Sequence, residues 1–470
     1  MNSKQLLTVI FAGAQLVAAS MLKAQTATNS ETDIQTLEQQ MQQMQQKLNA
    51  LERQQQEAQQ AQANAFEASP HLTVGANGVN FISADSNFIA TLHAWVQVDS
   101  RTFFDQKKTP GGIDGFLLRR ARPIFQGTVF HDFDFMLTPE FAGSGSPQIL
   151  DAYINYHPVP ELQLEVGKFK PPVGLEALEP DIYTFFNERS LATDLMPYRD
   201  VGVELHGDLF GGVFSYAAGI FNGLPDYNST TINQPYDNDV AFAGRIFTSP
   251  FKQTSISPLQ GLGFGVSGSY EHDGTNAAAA GLTPGYKTDG QETFFSYSSS
   301  TVPHGEHWRI SPQGYYYYGP FGIMAEYVDS DQEVNKLPSS VRPTPLENTA
   351  WEVSGGWVLT GENDSYNGVT PRHPFNIRGG GWGAWQVVGR YEQLHVDSSA
   401  FVLPTTASPY ASPTTSASSA HAWSAGVNWY VNNNVRVNLS FSRTIFTGGG
   451  SGAVTYQPEN VLFTRVQLAF

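Results

Sequence analysis

The last ten residues alternate without interruption. Leu462, Thr464, Val466, Leu468 and Phe470 fall on one face of an extended strand, and Phe463, Arg465, Gln467 and Ala469 on the other. The same period of two runs through 435–442, where Val435, Val437, Leu439 and Phe441 alternate with Arg436, Asn438, Ser440 and Ser442. It recurs in 423–431, with Trp423, Ala425, Val427, Trp429 and Val431 against Ser424, Gly426, Asn428 and Tyr430. A strand with one apolar face needs an apolar neighbour. In a soluble sandwich that neighbour is a second sheet, but here the opposite face is polar in nearly every segment, and helices to cover the sheet are missing. An apolar outer face and a polar inner face define a membrane barrel. Lipid offers no hydrogen-bonding partner, so the sheet must close on itself.

Sixteen strands are expected, at 88–104, 116–129, 132–141, 148–157, 161–170, 200–209, 212–221, 240–248, 261–271, 306–318, 320–329, 350–359, 383–397, 420–431, 434–446 and 461–470. The even count suits a single-chain bacterial barrel, and sixteen strands leave an aqueous channel. The links between them mostly alternate short and long, as periplasmic turns and outer loops do. Two links, 249–260 and 360–382, should be periplasmic yet are long. The expected fold class is therefore all-β, a 16-stranded antiparallel transmembrane β-barrel over residues 71–470.

Residues 1–24 read as a secretory signal, with Lys4 at the start and a short apolar run, Leu6–Ala19. Residues 25–70 differ from everything that follows. Ile34, Leu37, Met41, Met44, Leu48 and Leu51 are spaced 3, 4, 3, 4, 3 in a Gln-rich stretch free of Gly and Pro. That heptad pattern predicts a short α-helical coiled coil, and six seam residues imply self-association rather than a core within one chain. Cysteine is absent, which removes disulfides, thiolate metal sites and cysteine nucleophiles and suits an exported envelope protein. A formal net charge of -17 speaks against nucleic acid as a partner.

Several stretches resemble the phosphate- and polyphosphate-selective porin family of the Gram-negative outer membrane, porins O and P. They are Leu118-Arg-Arg-Ala-Arg-Pro123, Gly167-Lys-Phe-Lys-Pro-Pro-Val-Gly174, Phe186-Asn-Glu-Arg-Ser190 and Tyr198-Arg-Asp-Val-Gly202. Gly355-Gly-Trp-Val-Leu-Thr-Gly361, Gly380-Gly-Trp-Gly-Ala-Trp385 and Gly389-Arg-Tyr391 extend the likeness, in order, over most of 88–470. The resemblance implies a homotrimeric, water-filled pore in outer-membrane lipid, with basic side chains guiding phosphate or polyphosphate. It also implies that the loop 171–199 folds inward and narrows the pore. The terminal Phe470 is similar to the aromatic end by which outer-membrane proteins are recognised for insertion.

Inward parity selects the basic residues that matter. Arg120 and Arg122 oppose Ala121, Phe125 and Val129 and so belong to the lumen, since a lipid-facing Arg costs about 2–4 kcal/mol near the midplane. Arg119 has the wrong parity and needs a bulge or a place near the outer rim. Lys168 and Lys170 should lie past the bilayer, at the start of the long loop. Arg390, Arg436 and Arg465 also take the polar face, as do Asp134, Glu140, Asp151, Glu165, Asp200, Glu204 and Glu392. The anion-contact residues expected are Arg120 and Arg122, then Arg119, Lys168 and Lys170. Guanidinium groups in a narrow pore concentrate anions and match phosphate with a fork of donors. The same groups can instead pair with the lumen carboxylates and hold the barrel, and both readings stay open here.

Enzyme signals are weak. Gly263-Phe-Gly265-Val-Ser-Gly268 fits a dinucleotide fingerprint but lies in a strand pattern. His304-Gly-Glu306-His307 reads as a solvated loop, and Tyr315–Tyr318 as interfacial girdle. No catalytic residue, cofactor or metal ligand is expected. The function expected is passive diffusion of small hydrophilic solutes through an outer-membrane porin, anions such as phosphate first. A general or cation-leaning porin, or an outer-membrane structural tether, is the alternative, and an envelope hydrolase comes third.

Overall fold

Each of the sixteen alternating segments is a strand in the computed structural model, which describes residues 30–67, 69–104, 112–143, 145–224, 226–227, 238–274, 285–336, 342–402, 408–450 and 455–470. The expected signal segment 1–24 lies outside the described residues. The chain divides into two compact units at Ser69–Pro70.

The first unit contains the helix α1 (Ser30–Glu67). Leu37, Met41, Met44, Leu48 and Leu51 are all exposed on it. A coiled coil needs a second helix against that seam, and among the described residues this is the one α-helix. The helix expected there is thus present with these heptad positions exposed, and the coiled coil itself stays a proposal. No described helix is long and apolar enough to cross a membrane.

The second unit opens with a small hairpin, β1 (His71–Gly75) and β2 (Gly78–Ile82). The barrel follows as β3 (Phe88–Phe104), β4 (Gly115–Val129), β5 (Phe133–Glu140), β6 (Gln148–Val159), β7 (Leu162–Phe169), β8 (Asp200–Leu209), β9 (Phe214–Phe221), β10 (Ala241–Thr248) and β11 (Leu262–Asp273). A two-stranded hairpin, β12 (Gly285–Lys287) and β13 (Thr293–Ser296), interrupts it within a long link. The barrel continues as β14 (Thr301–Tyr318), β15 (Phe321–Lys336), β16 (Thr344–Val358), β17 (Ala384–His395), β18 (Ala417–Tyr430), β19 (Val435–Gly448) and β20 (Glu459–Ala469). Neighbours in sequence pair antiparallel, and β20 closes on β3 with Ala469 opposite Trp95 and Asn460 opposite Phe104. The final residue completes the seam: Phe470 N donates to Ala94 O at 3.1 Å and Ala94 N to Phe470 O at 2.8 Å. The lower part of β3 pairs instead with β2, Ile89 opposite Ile82.

The alternation reads directly as inside and outside. Val98, Phe125, Ile154, Leu164, Val203, Ile246, Phe264, Val353, Leu439 and Val466 are exposed, while Gln97, Asp99, Asn428, Asn438, Ser440, Ser442 and Arg465 are buried. A soluble domain would reverse that assignment. Tight links sit at one end, where Phe130 and His131 both take left-handed backbone angles, φ 53° and 65°, to turn β4 into β5. The links 249–261 and 359–383 share that end and are long, as expected.

Candidate functional site

The apolar core of this barrel is not between sheets. It is built around the link from β7 to β8. Leaving β7, the chain bends through Pro171 and Pro172, and Val173 and Leu175 are fully buried. A short 3-10 turn, Leu191–Leu195, then carries Leu191, Ala192, Leu195 and Met196 into a cluster with Phe169, Phe221, Val328, Leu346 and Leu394 of the inner wall. Burial of this apolar set brings the loop inward and keeps it there. Most residues of 171–199 are buried in consequence.

Polar contacts fix the loop to walls on all sides. Gly174 N donates to Ser267 Oγ at 3.0 Å, and Leu191 N to Glu392 Oε2 at 2.7 Å. Arg436 Nη2 donates to Thr184 O at 2.9 Å, Asn428 Nδ2 to Phe185 O at 3.0 Å, and Arg309 Nε to Leu195 O at 3.0 Å. Lys170 Nζ donates to Ala177 O at 2.6 Å and Glu179 O at 3.1 Å, closing the loop's own base.

Two loop carboxylates collect the guanidiniums. Asp181 pairs with Arg120 at 3.0 Å and also with Arg122 and Arg189. Burial would push its carboxyl up, yet the guanidiniums of Arg120, Arg189 and Arg122 hold it well below the usual carboxylate range. Glu188 pairs with Arg119 at 2.7 Å, Arg101 at 3.1 Å and Arg465 at 3.5 Å. Burial opposes its ionisation too, and Arg119 followed by Arg101 overrides it, so this carboxyl also lies below its ordinary value. On the wall, Arg122 Nε reaches Glu140 at 2.6 Å, and Arg465 grips Asp99 at 2.6 and 2.7 Å.

Arg119, Arg120 and Arg122 are thus brought together against the inward loop. Arg119 gets there by a bulge: Gln97 faces Arg120 and Val98 faces Leu118, so Arg119 is the extra residue and swings inward despite its parity. Lys170 meets the loop's carbonyls. Lys168 is buried in β7, between Ala152 and Val201 in register. Sequence parity gave no special weight to Arg101, which shares the polar face of β3, nor could it pair Arg189 with Asp181, because both lie in an irregular segment.

Other segments also enter the lumen. The hairpin β12–β13 sets Asp289 against Arg390 at 2.6 Å, Ser442 at 2.6 Å and Ser424 at 2.9 Å. From the opposite end, Tyr366 of link 359–383 donates to Leu175 O at 2.6 Å and stacks on Tyr315. Tyr315 and Tyr317 therefore face inward, so only part of the tyrosine run belongs to a girdle. A second correction concerns His304–His307, expected in a loop. These residues are in β14, whose period of two continues further than the apolar pattern revealed, and His307 is buried against Glu271 at 3.1 Å. The glycine fingerprint 263–268 is strand β11. Below the loop, a cavity of about 620 Å³ is lined by Trp95, Arg122, Asp151, Lys170, Asp181, Arg199 and Arg436 and reaches Phe470.

A closed sixteen-stranded barrel with an apolar belt, a polar lumen and a loop folded across that lumen is an outer-membrane porin. The chain belongs to the family described as phosphate-selective porin O and P, whose sequence profile matches residues 91–470. Porin O of Pseudomonas aeruginosa is 23% identical over 401 residues, covering 77% of this chain and 84% of the relative. The outer membrane channel DcaP of Acinetobacter baumannii shares the fold at a TM-score of 0.51 and 13% identity, over 82% of this chain and 98% of that one. A loop L8 deletion mutant of OmpT from Vibrio cholerae gives 0.50 and 11% identity, over 82% and 100%. Family and fold together place the protein in the Gram-negative outer membrane and point to a channel rather than an enzyme.

Proposed function

We propose that this porin passes small anions by passive diffusion, phosphate or polyphosphate among them. The observation that carries the reading is the charge around the loop. Six guanidiniums, Arg101, Arg119, Arg120, Arg122, Arg189 and Arg465, share four carboxylates, Asp99, Glu140, Asp181 and Glu188. Within this set the pairs cancel most of the charge and leave two guanidiniums in excess of the carboxylates. In a low-dielectric wall such an excess raises the local anion concentration, and the fork of Arg donors suits phosphate oxygens. In this reading the arginines hold the loop and bias the pore at once.

A cation-leaning pore is favoured by a separate feature, Glu165 directly opposite Glu204 in register on the lumen side of β7 and β8. Planar-bilayer recording distinguishes the two. Anion preference gives a reversal potential of the anion-selective sign in a KCl gradient, and added phosphate blocks chloride current. A cation-selective sign would overturn the anion reading and leave the porin. The exposed heptad positions of α1 support self-association, and the family resemblance makes the homotrimer the expected assembly. A crosslinked species of three chains is the expected result, and dimers alone would reject it.

A further inference from the structure

The link 359–383 is long where a periplasmic turn should be short, and its two halves serve opposite sides of the wall. The first half enters the lumen. Asp364 accepts from Gln386 Nε2 at 2.8 Å, Tyr366 donates to Leu175 O at 2.6 Å, and Val369 packs with Tyr430. The second half hooks under the rim. Phe375 N donates to Val431 O at 2.7 Å, at the turn from β18 to β19, and Gly383 N to His373 O at 2.9 Å. There the chain reaches the outer face. Trp382 O accepts from the indole Nε1 of Trp429 at 2.8 Å and of Trp385 at 3.2 Å. Those two rings stack at 5.2 Å, and Phe375 meets Trp429 edge-on. Trp385 and Trp429 are opposite each other in register and share the parity of exposed Val387 and Trp423, the lipid-facing side. Between the rim contacts the chain makes a closed turn. Asn376 N donates to Gly381 O at 2.9 Å, Gly380 N returns to Asn376 O at 2.9 Å, and Arg378 N donates to Asn376 Oδ1 at 2.9 Å. This hydrogen-bonded turn holds bulky apolar side chains outward: Ile377 is 86% and Trp382 70% exposed, and Arg378 beside them is exposed as well.

We propose that this turn docks on the phospholipids of the inner leaflet, with Ile377 and Trp382 at the acyl boundary and Arg378 against headgroup phosphate. Continuity with the lipid-facing wall identifies the partner. The turn is fastened to Trp385 and Trp429, which stand at the ends of β17 and β18 where the apolar belt gives way to headgroups. Tight links mark the periplasmic end of a barrel, so that rim lies in the inner leaflet. Indole rings favour this level, being apolar in body and polar at the N–H. Bulky apolar side chains beside a cation are also the composition of segments that lie in the interface. The guanidinium fork suits a phosphodiester. Because the same link reaches Leu175, the contact ties the inward loop to the membrane as well as to the walls. The docking does not depend on which solute the channel prefers.

The chain has no cysteine, so single cysteines can be introduced as label sites. Ile377→Cys and Trp382→Cys, each labelled with the polarity-sensitive fluorophore NBD in the full chain, are reconstituted into vesicles of phosphatidylethanolamine and phosphatidylglycerol. Neither change removes the Trp382 carbonyl that holds the turn. Val387→Cys on the lipid-facing wall and Asn367→Cys in the lumen cavity serve as references. Labels at 377 and 382 should emit to the blue of the one at 367. Phospholipids carrying a nitroxide near the glycerol end of the acyl chain should quench them as they quench the label at 387, and iodide should have little effect. Adding Arg378→Glu should weaken that lipid quenching about twofold or more. Heat-modifiable migration on gels certifies that each variant is a folded barrel, and either label site alone suffices. Iodide quenching like that at 367 would overturn the proposal. So would shielding from both quenchers, which assigns the turn to a protein partner or a second copy. Unchanged lipid quenching in the Arg378→Glu variant would overturn the headgroup contact.

Discussion

Arg119 holds Glu188 by two parallel hydrogen bonds, Nε to Oε1 at 2.7 Å and Nη2 to Oε2 at 2.8 Å, joining wall strand to inward loop. The bulge opposite Gln97 makes this contact possible, because without it Arg119 would face lipid. Charge-assisted bonds of this kind contribute about 1.5–3 kcal/mol each. Arg119→Ala should therefore loosen the loop. Single-channel recording is expected to show higher conductance and a noisier open state than the parent, with the barrel itself intact. Unchanged conductance and noise would mean that Arg101 and Arg465 suffice to hold Glu188.

Arg120 and Arg122 converge on Asp181, and they are the first candidates for anion contact. Replacing both with Ala removes two positive charges from the narrowed lumen and leaves Asp181 to Arg189. The reversal potential in a KCl gradient should move toward cation preference, and phosphate block of chloride current should weaken by about tenfold, roughly 1.4 kcal/mol. An unaltered block moves the site elsewhere in the lumen.

Asp181 and Glu188 are both held below their ordinary values by guanidiniums despite burial. A carboxyl whose folded value is depressed contributes fully above its unfolded value, about 3.9 for Asp and 4.3 for Glu, and that contribution fades as pH falls through the folded value. The loop should thus stay attached from pH 8 down to about pH 5 and loosen only under strong acid. Conductance measured across that range in symmetric salt should be flat, with a rise at lower pH. A transition near pH 6 would contradict the clamp.

Gly167 stands at the entry to the loop with φ of 141°, and a Cβ there would meet Ala152 O at 2.2 Å and Tyr153 Cα at 2.6 Å. Both obstacles are backbone and cannot move aside. Gly167→Ala should cost about 1–3 kcal/mol from backbone conformation, with the clash in addition. The yield of heat-modifiable folded barrel is the readout, and a parent-like yield would show that β7 can re-register.

Leu37, Met41, Met44, Leu48 and Leu51 are exposed along α1. Deleting Ser30–Glu67 should lower the temperature at which the three-chain species dissociates, while leaving single-barrel conductance unchanged. Identical dissociation temperatures would assign assembly to the barrel alone.

Most of the barrel was legible because a strand's period is local. Sixteen segments found by alternation are the sixteen barrel strands, and β3 and β8 agree to the residue. The upper reaches of β14, β15 and β16 were missed, since there the outer face leaves lipid and polar residues such as Asp329 and Asp331 blur the pattern. Parity also placed Arg120, Arg122, Arg390, Arg436 and Arg465 on the inner face, where they are buried. It could not tell free arginines from paired ones. Asp289 comes from an outer hairpin, and Arg189 and Asp181 from an irregular loop, with no period to mark their direction.

By itself, then, the sequence determined a lipid-facing, closed sheet with a polar interior, because alternation and unsatisfied backbone groups admit one solution. Only the tertiary structure decided what fills that interior. The inward path of 171–199 depends on apolar contacts with Phe221, Val328 and Leu346, and on carboxylates meeting arginines from strands far apart in sequence. Those encounters are set by closure of the barrel.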